Sequence, residues 1–201
     1  MYIVYGMSAS GNCHKLRMVL ESLGLPYGWT EINSVAGETR TREFLAINAN
    51  GKVPVLEIEP GLYLPESNAI MAYLADGTAL MPTERLERAR VLQWLFFEQY
   101  SHEPYIAVAR YFRRFHPDPD SQRDVIASKM PAGNRALQVM DDHLRANAFF
   151  VGGRYTIADI ALYAYTHVAD EGGFDLTLFP AITAWLRRVE AQPRYVRMPA
   201  Q

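Results

Sequence analysis

Cysteine is nearly absent from this chain: Cys13 is the single thiol in 201 residues. That excludes an internal disulfide framework and fits a reducing compartment, taken here as the cytoplasm. An excess of one charge is missing too. Twenty Lys and Arg stand against 22 Asp and Glu, for a net charge of −2 and a pI near 6.2. No basic face is implied, which argues against a nucleic-acid partner. No apolar run approaches the ~20 residues of a membrane span, so no membrane role is expected. The opening stretch, Met1-Tyr2-Ile3-Val4-Tyr5, has no basic n-region or small-residue cleavage site, so no signal peptide is expected. Repeats and low-complexity tracts are lacking. The histidines His14, His102, His116, His143 and His167 show no metal-ligand spacing, so no metal is expected. A hydrolase triad built on Ser10 would lack the Gly-x-Ser-x-Gly elbow that such sites use.

What the chain has in quantity is apolar and aromatic surface. Hydrophobic residues make up 49%, with 12 Tyr, 9 Phe and 3 Trp, ample for a core in one large domain or two small ones. Tyr2 to Tyr5 reads as a short strand and Gly6 to Asn12 as a turn-rich loop. Leu16, Val19, Leu20 and Leu23 follow the i, i+3, i+4, i+7 rule of a helix that Gly24 ends. Further strands are expected over 27–32, 53–58 and 62–64, a short helix near 41–47, and a helix over 67–75. The order is βαβ, then αββα. Asp76-Gly77-Thr78 and Pro82 read as a linker, dividing the chain into domains at 1–77 and 83–201. Beyond Thr83 the pattern is helical throughout. One long helix is expected to about Phe115 with a kink at Pro104, and another over 120–146 with a break near Pro131 and Gly133. Two more are expected around 157–168 and 182–189. Thr156-Ile157-Ala158-Asp159 is a capping box with Asp in place of Glu, flanked by Tyr155 and Ile160 as a hydrophobic staple.

Several stretches carry residues suited to chemistry. In Gly51-Lys52-Val53-Pro54-Val55-Leu56 a proline heads an apolar strand, where its missing N–H is tolerated. An X-Pro bond there can be cis, which would leave the Val53 backbone to pair with a peptide as an added strand does. Glu66-Ser67 precedes the periodic run Ala69, Ile70, Tyr73, Leu74, so it opens a helix whose N–H groups and free hydroxyl can seat a carboxylate. Pro54 also reads as an ordinary edge proline, and Ser67 as an ordinary cap. Ser10 and Asn12 follow the first strand, at the end where open α/β layers bind ligands. There they could stabilise a thiolate, or simply cap the helix. Cys13 competes as the reactive thiol, at a helix start. His14 is expected on an exposed helix face. Arg110, Arg113 and Arg114 read as a solvated face, while Tyr105 and Phe112 are candidates for an apolar second site.

Taken in order, these stretches resemble the soluble glutathione S-transferases over nearly the whole chain. Asn48-Ala49-Asn50-Gly51-Lys52-Val53-Pro54-Val55-Leu56 is similar to the family's cis-proline segment, Glu66-Ser67-Asn68-Ala69-Ile70 to its γ-glutamyl-binding helix start, and Thr156-Ile157-Ala158-Asp159 to its capping box. The resemblance implies an α/β thioredoxin-like domain followed by an all-helical one. It implies that Val53 pairs with the cysteinyl part of glutathione beside Pro54, that Glu66 and Ser67 hold the γ-glutamyl end, and that Lys52 reaches the glycine end. Ser10 falls where serine-type members place their thiol-activating hydroxyl. The loop Ser10-Gly11-Asn12-Cys13-His14-Lys15 is similar to the bacterial nu-type, which adds Asn12. The implied protein is a homodimeric glutathione transferase, a detoxification enzyme using glutathione as co-substrate on a small hydrophobic electrophile taken up by the helical domain. A glutathione-dependent disulfide or peroxide reductase and a non-enzymatic binding or regulatory module are the alternatives. Trp94, Phe96 and Phe97 are candidates for the dimer face.

Overall fold

The β-rich opening forms strand β1 (Tyr2–Gly6), and the periodic run after it forms helix α1 (Gly11–Leu23). Ser10 caps α1 by accepting from the Cys13 N–H at 3.4 Å, and Gly24 closes it in the left-handed region. Strand β2 (Tyr27–Glu31) lies parallel to β1. Thr41 caps α2 (Arg42–Ile47) through the Phe44 N–H, and β3 (Val55–Glu59), β4 (Leu62–Pro65) and α3 (Ser67–Ala75) follow. The sheet order is β2-β1-β3-β4, with β3 antiparallel to both its neighbours. Pairing in β3 begins at Val55, not at Val53 as expected, because Pro54 has no N–H to donate to a ladder. Val4, Leu16, Leu20, Val55, Leu56 and Ile70 are fully buried, and α1 and α3 pack on each other.

This computed structural model describes residues 1–199, and two units are distinguished. The first is Met1–Asp76 together with the chain from Pro193 onward; the second is Gly77–Gln192. The expected helical domain, 83–201, therefore gives up its last stretch. The Arg194 guanidinium lies where a Cβ at Gly24 would be, tying that stretch to the end of α1.

The second unit is helical. Glu84 caps α4 (Arg85–Phe97) by accepting from the Leu86 and Glu87 N–H groups at 2.9 and 2.8 Å. The helix expected to reach Phe115 is interrupted by a π turn over Glu98–His102, after which α5 (Glu103–Arg114) begins with Pro104 in its first turn. The interruption thus lies ahead of the proline. Pro104 has no N–H for the carbonyl of residue 100, and the wider turn absorbs that loss. Helix α6 (Arg123–Ala146) runs on through Pro131 without the expected break. Gly133 is a packing notch: a Cβ there would sit 2.5 Å from Cζ of Phe174. Helix α7 (Ile157–Thr166) is buried along its whole length, and α8 (Pro180–Glu190) follows.

Two buried carboxylates tie these helices together. One Asp141 oxygen, from α6, accepts from the Ala181 and Ile182 N–H groups at 2.8 and 3.1 Å, capping α8 from a distance. Asp159 completes the capping box: Oδ2 accepts from the Thr156 N–H at 2.9 Å and hydroxyl at 3.1 Å. Its Oδ1 accepts from the Phe150 N–H at 3.2 Å and the Trp185 indole at 3.0 Å. Burial pushes the Asp159 carboxyl up to about 6, while those four donors pull it down. Folding raises this pKa, so the folded state binds the proton more tightly than the unfolded chain between about pH 4 and 6. Stability tied to the group is fully present below its ordinary value of 3.8 and falls as pH rises through about 6. Urea midpoints of the wild-type protein, referenced to Asp159→Asn at each pH, should fall by the equivalent of about 3 kcal/mol across that window. A flat difference would remove the titration from Asp159.

Candidate functional site

The strand register gathers the site. Tyr5 of β1, Val55 of β3 and Pro65 of β4 lie side by side in one row of the sheet. The loop after β1, the approach to β3 and the exit from β4 therefore leave the sheet at one end. Ser10 and Asn12 come from the first, Lys52, Val53 and Pro54 from the second, and Glu66 and Ser67 from the third. The row is the carboxyl end of β1, where an α/β layer offers ligands its loops and helix starts.

At the start of α1 the residues have diverged in role. Ser10 is half-buried and engaged as the helix cap. Cys13 is fully buried, with its sulfur accepting from the Met7 N–H at 3.3 Å. Burial pushes its thiol up to about 11, against the pull of Ser10 and Met7. It is a core residue and no rival nucleophile. Asn12 is half-buried, and its Oδ1 accepts from the Ser67 hydroxyl at 3.3 Å across 55 residues of sequence. His14, expected on an exposed face, is fully buried: it lies on the inward side with Cys13, where the helix meets the core.

Ser67 is itself 5% exposed, so its hydroxyl is no free group but part of a network. The Lys15 ammonium donates to Ser67 Oγ at 3.4 Å and to Asn68 Oδ1 at 3.2 Å. Lys15 was not legible as a site residue, although its position three after Asn12 and one before Leu16 puts a charge on the buried stripe of α1. Glu66 is exposed and stands at the cap position with φ 72 and no capping hydrogen bond. That is a conformation L side chains rarely adopt, and such residues gather at binding sites.

The Val53–Pro54 bond is cis, as the sequence reading anticipated. Pro54 is buried and Val53 half-buried, two residues ahead of the first ladder pair. Lys52 is exposed, and its carbonyl accepts from the Asn48 amide at 2.8 Å. Gly51 precedes it at φ 62, with the Thr39 carbonyl 2.9 Å from where a Cβ would be. Only glycine suits that left-handed, crowded position. Arg40 folds over the same turn and donates to the Asn50 carbonyl at 3.3 Å. Two cations, Arg40 and Lys52, thus flank one turn.

In the helical unit Tyr105 lines a groove of about 330 Å³ with Phe97, Tyr100, Ala136 and Val139. Phe112 is not in that lining; its ring lies 5.6 Å from Tyr111 and 5.8 Å from His116. Arg110 is not on a solvated face: it is 3% exposed and donates to Glu171 at 2.7 Å. Trp94 is core, 4.6 Å from the Phe150 ring, whereas Phe96 is 68% and Tyr100 84% exposed. Among the described residues no group of three His, Cys, Asp or Glu side chains could hold a metal, and no helix is long and apolar enough to cross a membrane.

A family model for the glutathione S-transferase N-terminal domain matches residues 9–76, and one for the glutathione S-transferase C-terminal domain matches 93–193. The chain belongs to the glutathione S-transferase family. A crystal structure of glutathione S-transferase from Pseudomonas fluorescens Pf-5 is 53% identical, with a TM-score of 0.95 over 98% of this chain and 98% of that one. The disulfide-bond oxidoreductase YfcG of Escherichia coli K12 is 31% identical, covering 90% of this chain and 87% of that protein. A glutathione transferase from Burkholderia graminis, solved with two glutathione molecules bound per subunit, is 26% identical, with a TM-score of 0.83 over 96% of this chain and 85% of that one. The family accounts for the α/β unit followed by the helical one.

Two outcomes follow from the local geometry. A thiol reagent at neutral pH should find no reactive group in the native protein and one per chain after unfolding; a native reaction would contradict the burial of Cys13. Glu66→Gly should raise the urea midpoint by the equivalent of about 1 kcal/mol, because glycine adopts a positive φ without strain. A lower midpoint would mean that the conformation is not strained.

Proposed function

We propose that the protein is a glutathione transferase that ionises the glutathione thiol and directs it at an electrophilic small molecule. The observation that carries this reading is the row Tyr5–Val55–Pro65, which brings three separate segments to one end of the sheet. In this reading the Val53 backbone beside Pro54 pairs with the cysteinyl residue. Glu66, Ser67 and the N–H groups of α3 hold the γ-glutamyl end. Lys52 takes the glycine carboxylate, with Arg40 as its neighbour on the same turn.

Ser10 and Asn12 are the catalytic pair. A free thiol titrates near ~8.5, so a donor on the sulfur is needed to keep it ionised at neutral pH. The thiol proton passes to solvent, the thiolate forms the new sulfur–carbon bond, and the leaving group departs with its electron pair. Chemistry of this kind needs positioning and electrostatic stabilisation, with no metal and no proton acceptor in the protein. The electrophile is small and hydrophobic, and Tyr105 with its apolar groove is the candidate for its contact. Exposed Phe96 is the candidate for the face of a homodimer.

A second reading, glutathione-dependent disulfide reduction, draws support from the likeness to the E. coli disulfide-bond oxidoreductase. There the same thiolate attacks a disulfide sulfur and expels a thiolate. Rates on an aryl halide and on 2-hydroxyethyl disulfide separate the two readings.

Ser10→Ala and Asn12→Ala should each lower the thiolate-to-thiol ratio of bound glutathione at neutral pH by about tenfold, the worth of one hydrogen bond to a charged group. Thiolate ultraviolet absorbance measures it. Unchanged absorbance in both variants would remove these residues from catalysis.

A further inference from the structure

We propose that Lys15 is a positioning residue of this site: its ammonium fixes the Ser67 hydroxyl, which fixes the Asn12 amide with its nitrogen toward the sulfur. The inference rests on the glutathione reading above. Lys15 is fully buried, a state lysine rarely adopts. Two of its contacts are Ser67 Oγ at 3.4 Å and Asn68 Oδ1 at 3.2 Å, both in the first turn of α3.

The direction of each hydrogen bond follows from what each group is able to do. An ammonium only donates, so Ser67 Oγ accepts from Lys15. Ser67 then has a single proton to give, and Asn12 Oδ1 is 3.3 Å away to receive it. With its oxygen committed, the Asn12 amide turns its NH₂ to the opposite side. An amide reversed the other way would give its NH₂ to Ser67 Oγ and would offer a thiolate a second acceptor in place of a donor. Lysine is suited to this task because it cannot reverse its role, as a serine, asparagine or glutamine there could. The same ammonium adds positive charge beneath the N–H groups that open α3, where the γ-glutamyl carboxylate would bind. One buried cation would thus serve both ends of the γ-glutamyl-cysteine unit.

The test is a double-mutant cycle on the full chain, with glutathione as the probe. Lys15→Met keeps the bulk of the side chain and removes its donors. It should weaken glutathione binding in calorimetry by about tenfold or more and lower the bound thiolate fraction, by the loss of a charged hydrogen bond. On the Ser67→Ala background the same change should cost less than about threefold, because Lys15 acts through Ser67. Effects that multiply across the two variants would assign Lys15 a packing role and overturn the inference. A measurement on the wild-type protein stands apart from whether Lys15→Met folds. The Asn12 side-chain NH₂ resonances, assigned by their loss in Asn12→Asp, should move on addition of glutathione and not on addition of its S-methyl ether. Resonances that move equally with both ligands overturn the orientation. Wild-type protein that does not bind glutathione overturns the glutathione reading itself and this inference with it. Binding with multiplicative effects overturns the role of Lys15 alone.

Discussion

The contact between α1 and α3 brings the residues of the candidate site together. The two helices are separated by more than forty residues and by three strands, yet their first turns meet side by side. Each brings N–H groups that its own helix leaves unsatisfied, and side chains that arrange how those groups meet a ligand. The sheet makes the meeting possible. Because β3 runs antiparallel to β1 and β4 antiparallel to β3, the entry to α1 and the entry to α3 fall on the same edge of the layer.

Three buried ionisable groups, Asp141, Asp159 and Lys15, are used in different ways. In the helical unit Asp141 accepts from backbone N–H groups and the Arg145 guanidinium, Asp159 from backbone, hydroxyl and indole donors, and each closes a helix start that the core would otherwise leave unsatisfied. Their work is architectural. In the α/β unit the buried Lys15 ammonium donates to the Ser67 and Asn68 side-chain oxygens at the candidate site. A carboxylate surrounded by donors is complete within the fold. A cation behind hydroxyl and amide groups extends its influence outward through them.

Much of this was legible in the sequence, where local chemistry and period agreed. The apolar stripe of α1, the Gly24 stop, the capping box at Thr156 and Asp159 and the proline at the head of β3 are each set by a few adjacent residues. What was not legible depended on partners far away. Pro131 does not end α6, and Gly133 is small because the Phe174 ring comes in from elsewhere. His14 and Arg110 read as surface residues by type, but α1 and α5 turn them inward, and Arg110 finds Glu171 there. Lys15 was passed over for the same reason: its meaning appears only once α3 lies beside it. Periodicity describes a helix in isolation, whereas these residues are set by the neighbour.

The stretch from Pro193 onward, held at the end of α1 by Arg194 over Gly24, has a bearing on how the chain is made. The α/β unit is discontinuous: its final piece is translated only after all of Gly77–Gln192. The residues of the candidate site, 10–68, all lie in the first stretch of that unit, so they are made ahead of both the helices and the segment that packs at Gly24.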